Sequence, residues 1–135
     1  MGTAGSLICL TAVIYMPGLD LYLIQVLLFF FGFFISSFLL CFTMIREINA
    51  PILAATAIGF MNAFDALFGA FSDPLTGKLL DVAWEGKLVE GARVFSVSAY
   101  KTAFLMLPVY LLIALGTLFK IKETYCRATE PSQLP

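Results

Sequence analysis

Asn62, Asp65, Gly69, Asp73 and Thr76 recur at intervals of three and four along an otherwise apolar stretch. At 100° per residue they fall within roughly 80° of helical arc, while Phe60, Phe64, Leu67, Phe68 and Leu75 point largely elsewhere. A carboxylate within an apolar span costs about 2.5–3.5 kcal/mol to insert into a bilayer, so it normally faces a bundle interior or a watery cavity. The chemistry open to such a face is twofold. Its carboxyl groups can take up and release a proton as a cavity opens and closes, and its polar groups can hydrogen-bond a small polar solute or a neighbouring helix. Asp65, near mid-depth, is the candidate for substrate or proton handling, with a structural hydrogen bond as its alternative. Asp73 lies shallower, just before Pro74 and close to the Gly77-Lys78 end signal, and its structural role is the simpler one. Asn62 and Thr76 are hydrogen-bonding candidates beside them.

A second polar line runs through Gln25, Gly32, Ser36 and Thr43, which lie within about 40° of one another on a helix. Gln25 and Ser36 can serve the same pathway, but a stripe of small and polar residues used only for packing explains the line equally well. Gly32, Gly59 and Gly69 are the glycines expected at close helix contacts. No other chemistry is offered. The chain has no histidine, no C-x-x-C and no H-E-x-x-H spacing, which leaves neither a metal site nor an enzyme's catalytic set to name. No cofactor is implied. Its cysteines, Cys9, Cys41 and Cys126, are odd in number and suggest no disulfide framework.

The elements that must position these residues are apolar runs long enough to approach the 20 or so residues that cross a hydrocarbon core of about 30 Å. Four are expected, over residues 2–17, 21–45, 51–80 and 101–120, giving an all-α integral membrane region over 1–122. The first is marginal in length and stops at Pro17-Gly18-Leu19-Asp20. It has neither the basic start nor the cleavage site of a signal peptide, and its lack of a charged anchor is what a chain preceded by further spans would show. The second is free of charge up to Arg46-Glu47, and the third opens with Pro51 in its first turn. The fourth carries Pro108 and is framed by Tyr100, Lys101, Lys120 and Lys122 as interface anchors. Between the third and fourth, residues 81–98 form a polar extramembrane loop with the single tryptophan, Trp84, at the interface. Residues 123–135 are a polar tail with too little apolar surface to fold alone, and mobility is expected of them.

The composition agrees with this organisation. The chain has 135 residues, 61% of them hydrophobic and 13% charged, against roughly 45–50% and about 25% in a soluble domain. Its mean hydropathy is +0.96. A soluble monomer of this size would lack the polar surface to stay in solution, which makes the lipid bilayer the expected surrounding. A formal net charge of -1 gives no footprint for nucleic acid and no polybasic tether to a membrane surface. Basic residues divide evenly between the two sides of the expected topology, so the positive-inside rule does not orient it.

Between Pro51 and Pro108 the sequence resembles the last two spans of a bacterial major facilitator superfamily transporter of the metabolite-symporter kind. The residues that carry the likeness are Pro51, Ala54, Thr56-Ala57-Ile58-Gly59-Phe60, Asn62, Gly69-Ala70, Pro74-Leu75, Gly77 and Leu79-Leu80-Asp81. They are followed by Gly91-Ala92-Arg93-Val94-Phe95-Ser96, Tyr100, Ala103 and Leu107-Pro108. The resemblance implies that the four spans correspond to the ninth to twelfth of twelve. It further implies a bacterial inner membrane, both termini and the Arg46-Glu47 turn cytoplasmic, a small-molecule substrate bound near the midplane, and the missing upstream spans as partners. Related sequences usually have a small or apolar residue where Asp65 stands, often a glutamine where Asp73 stands, and an apolar or aromatic residue where Lys78 stands. These departures suit either a specialised coupling site or a gene fragment free of selection.

The expected function is therefore that of the C-terminal part of a secondary carrier for a small hydrophilic metabolite, working by alternating access. The alternative, from another class, is a self-sufficient four-span protein that assembles with itself as a scaffold or subunit.

Overall fold

The computed structural model describes residues 1–121, and the tail expected to be mobile lies outside them. The described chain is mostly helical: α1 (Gly2–Tyr15), α2 (Leu21–Ile35), a 3-10 turn (Ser36–Leu39), α3 (Leu40–Ile48), α4 (Pro51–Val82), α5 (Val97–Ala103) and α6 (Met106–Leu118). Its two strands, β1 (Leu88–Val89) and β2 (Ala92–Arg93), make one small antiparallel hairpin in the loop after α4. Three helical stretches are long and apolar enough to cross a membrane: Leu21–Ile48, Pro51–Val82 and Val97–Leu118. The chain is thus compatible with a membrane location. The first of the four expected spans is an apolar helix of 14 residues, about 21 Å long and shorter than a hydrocarbon core.

Helix boundaries follow local chemistry. Pro17 and Gly18 end α1, with Gly18 at φ +73° in the turn. Pro51 opens α4 at its first position, where its missing N–H would have had no partner, and the preceding Ala50 is extended as a pre-proline residue prefers. The expected second span, 21–45, runs on to Ile48 and is broken by the 3-10 turn. There the Ser36 hydroxyl donates to the Phe33 carbonyl at 2.6 Å, three residues back. The fourth span begins earlier than expected, at Val97, because Ser96 accepts a hydrogen bond from Ala99 N and caps α5. It is interrupted at Phe104-Leu105. Pro108 has no N–H for the Phe104 carbonyl four residues back, and Leu107 N bonds that carbonyl instead at 3.0 Å, tightening the turn.

Packing is closest between α1 and α2. The start of α1 meets the end of α2, so the pair is antiparallel. A Cβ added to Gly5 would come within 2.6 Å of the Phe34 ring, and one added to Gly2 would overlap the Ser37 side chain. Ser6 is buried in this contact with its hydroxyl donating to Gly2 O at 3.1 Å, and Cys9 is buried nearby. α1 also packs on α6, and its Tyr15 hydroxyl donates to Lys101 O of α5 at 2.9 Å. α4 packs on α3 and α5. Its long apolar flanks are otherwise open, with Ile52, Phe60, Phe64, Leu67 and Phe71 exposed. In water such faces would collapse; in a bilayer acyl chains cover them.

Candidate functional site

The polar face of α4 exists as the spacing requires, because all five of its residues lie on one unbroken helix. Asn62, Asp65, Gly69 and Asp73 are exposed along it. Among the described residues, neither Asp65 nor Asp73 has an ion pair or a hydrogen-bonded partner, and no group of acidic, histidine or cysteine side chains could hold a metal. Asp65 and Asp73 stand about 12 Å apart along the axis, so the two carboxylates do not share a single site. The structure gives them a common face and leaves that face uncovered.

Thr76 differs. It is half-buried, its hydroxyl donating to Ser72 O at 2.9 Å and standing 3.3 Å from the Met106 sulfur of α6. One turn earlier, Ser72 Oγ lies 3.4 Å from the Tyr110 hydroxyl, and the Tyr110 ring meets the edge of Phe68 at a centroid distance of 5.1 Å. Thr76 therefore belongs to an α4–α6 seam, and Ser72 and Tyr110 are its unrecognised members. A tyrosine in the middle of an uncharged span was the available signal, since its hydroxyl needs a partner when withdrawn from water.

The second line is not joined to the first. Gln25 is exposed on α2, and the Ser36 hydroxyl is engaged by Phe33 O at the 3-10 turn. No hydrogen bond links either residue to α4 among the described residues. A Cβ at Gly32, Gly59 or Gly69 would meet nothing within 4 Å, so any packing these glycines serve lies with a neighbour outside the described chain. The close approach is made by Gly2 and Gly5 instead.

No protein-family model matches the chain, and neither a curated protein nor a solved structure matches it.

The most completely satisfied polar cluster lies in the loop after α4. Arg93 Nη1 donates to Asp81 Oδ1 at 2.7 Å, and its guanidinium sits 4.7 Å from the centroid of the Trp84 ring. Trp84 Nε1 donates to Lys87 O, and Ser96 Oγ donates to Glu85 Oε1. The hairpin that brings Arg93 back turns through Glu90 and Gly91, whose φ values of 52° and 81° are the left-handed pair that a two-residue hairpin turn requires. The cluster closes the end of α4 onto the start of α5. It is a structural cap, with its charges spent on one another.

Proposed function

We propose that the chain is the C-terminal part of a secondary active transporter that moves a small hydrophilic metabolite across the bacterial inner membrane by alternating access. The observation that carries this reading is the uncovered polar face of α4. An apolar helix of membrane-crossing length presents Asn62, Asp65 and Asp73 to a side that no described residue of its own chain occupies. Carboxylates so placed require protein or water beside them rather than lipid. In a carrier built from two halves around a central site, both are supplied by the remaining spans. The resemblance of residues 51–108 to the last two spans of a major facilitator fold supports the same arrangement. α1 then corresponds to the end of a ninth span, both termini and the Arg46-Glu47 turn lie in the cytoplasm, and the Trp84–Arg93 cap lies outside. Asp65 is the proton carrier where uptake is proton-driven, and Gln25, Ser36, Asn62 and Thr76 are hydrogen-bonding groups of lesser weight.

The test is reconstitution. Proteoliposomes containing this polypeptide alone should show no gradient-dependent uptake of small metabolites, and uptake should return when the upstream spans are supplied together with it. Saturable, gradient-driven uptake by the isolated chain would overturn the proposal and favour a self-sufficient homo-oligomer.

A further inference from the structure

The helices divide into two sets by what they touch. α1 packs on α2 and α6, whereas α4 packs on α3 and α5. Two spans pass from one set to the other, α2 into α3 and α5 into α6, and each is interrupted at the crossing point. The first interruption is the 3-10 turn at Ser36–Leu39, and the second is the turn at Phe104-Leu105. A 3-10 stretch within a long helix often marks a hinge. Here each break has its own local cause, the Ser36 hydroxyl taking the Phe33 carbonyl in one and the missing Pro108 N–H in the other.

From this coincidence we infer that α3, α4 and α5 swing as one body against α1, α2 and α6 about the two breaks, with Tyr110 and Tyr15 as the latches that set the closed position. The moving body is held together at one end by the short α3–α4 connection through Asn49-Ala50-Pro51 and at the other by the Asp81–Arg93–Trp84 cap, which ties α4 to the start of α5. Away from the two breaks, contacts of Tyr15, Tyr110 and Met106 cross between the sets. They are Tyr15 to Lys101 O, Tyr110 with Phe68 and Ser72, and Met106 with Thr76. These four are uncharged contacts, and the Ser72–Tyr110 approach of 3.4 Å is long for a hydroxyl pair. At these points the boundary is lightly fastened compared with the glycine-seated contact inside the first set. α3 sets the corner at Ile52 about 13 Å along its axis from the first break, so a rotation of about 20° about the breaks carries Ile52 through about 5 Å.

The inference concerns the chain itself and does not rest on the transport reading, so its test measures distance rather than uptake. The full chain, with Cys9, Cys41 and Cys126 replaced, is spin-labelled in lipid nanodiscs at two pairs of exposed positions. Ile52 and Ile113 report across the boundary, and Tyr22 and Ile113 report within the first set. Tyr110→Ala should broaden or split the Ile52–Ile113 distance distribution by about 5 Å while leaving Tyr22–Ile113 unchanged. Adding Pro108→Ala, which restores a donor to the Phe104 carbonyl, should narrow it again. Should Tyr110→Ala not fold, Tyr15→Phe removes only the hydroxyl donated to Lys101 O and should give the same contrast in smaller measure. An unchanged Ile52–Ile113 distribution, an equal change in both pairs, or a spread insensitive to Pro108→Ala would each overturn the hinge.

Discussion

Asp65 and Asp81 lie on the same helix, about 24 Å apart along its axis, and the chain treats them in opposite ways. Asp81 is met by Arg93 at 2.7 Å, with Trp84 stacked against the guanidinium, all of it supplied within a few turns of sequence. Asp65 is met by nothing among the described residues. The pair at Asp81 is half-exposed, at 53% and 56%, where its attraction is screened and modest, yet the geometry is complete. At Asp65 the energetic stake in an apolar span is larger and the geometry is absent. A carboxylate finished locally serves the fold. One left open on a helix face is finished by something else, and its role is decided there.

The strongest way to break this contrast is at Asp65. In a complete carrier assembled from this chain and its upstream spans, Asp65→Asn should abolish proton-driven uptake while membrane expression is retained, and Asp73→Asn should reduce uptake less. Uptake unchanged in Asp65→Asn would remove the residue from the mechanism.

A smaller effect separates glycines that are seated from glycines that are open. Gly5→Leu forces a side chain into the Phe34 ring and should destabilise the isolated chain by about 1–3 kcal/mol, as overpacking does, measured by denaturant unfolding in detergent. Gly69→Ala in the same chain should be neutral or slightly stabilising, since open space surrounds it and alanine favours helix. Comparable losses from both substitutions would mean that the α4 face is already covered in the isolated protein.

The smallest effect is expected where the contacts are most numerous. A double-mutant cycle of Asp81→Asn and Arg93→Gln should give a coupling energy of less than about 1 kcal/mol that shrinks as salt is added, because both side chains are half-exposed. A coupling of several kcal/mol would show that the cap is withdrawn from water by a neighbour.

Much of this was legible from residue types. Pro17-Gly18 and Pro51 mark where helices stop and start because their backbone restrictions act locally, and the α4 face follows from helical periodicity alone. What stayed hidden depends on neighbours or on short range. Glycine spacing in the sequence suggests Gly32, Gly59 and Gly69 as contact points, but only the position of a second helix tells which glycines are approached, and in this chain those are Gly2 and Gly5. The hairpin escaped notice because two-residue strands are too short to show an alternating pattern, although Glu90-Gly91 between Val89 and Ala92 was its one clue. Pro108 was visible, but its effect falls four residues upstream, at the carbonyl it cannot serve, so the break at Phe104 is displaced from its cause. The Ser72–Tyr110 contact joins residues on separate spans and has no sequence signature beyond the oddity of a midspan tyrosine.

The exposed aromatic flank of α4 bears on how the helix enters a bilayer during synthesis. Leucine, isoleucine and phenylalanine each favour release from the translocation machinery into lipid by roughly 0.3–0.6 kcal/mol at a helix centre, while a central aspartate opposes it by about 2.5–3.5 kcal/mol. Phe60, Phe64, Leu67, Phe68 and Phe71, all turned outward near the helix centre, together contribute roughly 1.5–3 kcal/mol and offset much of one such acid. Those side chains therefore act as ballast for Asp65. A polar substitution among them, though it touches neither carboxylate, would lower the fraction of newly made chains in which α4 is threaded through the membrane at all.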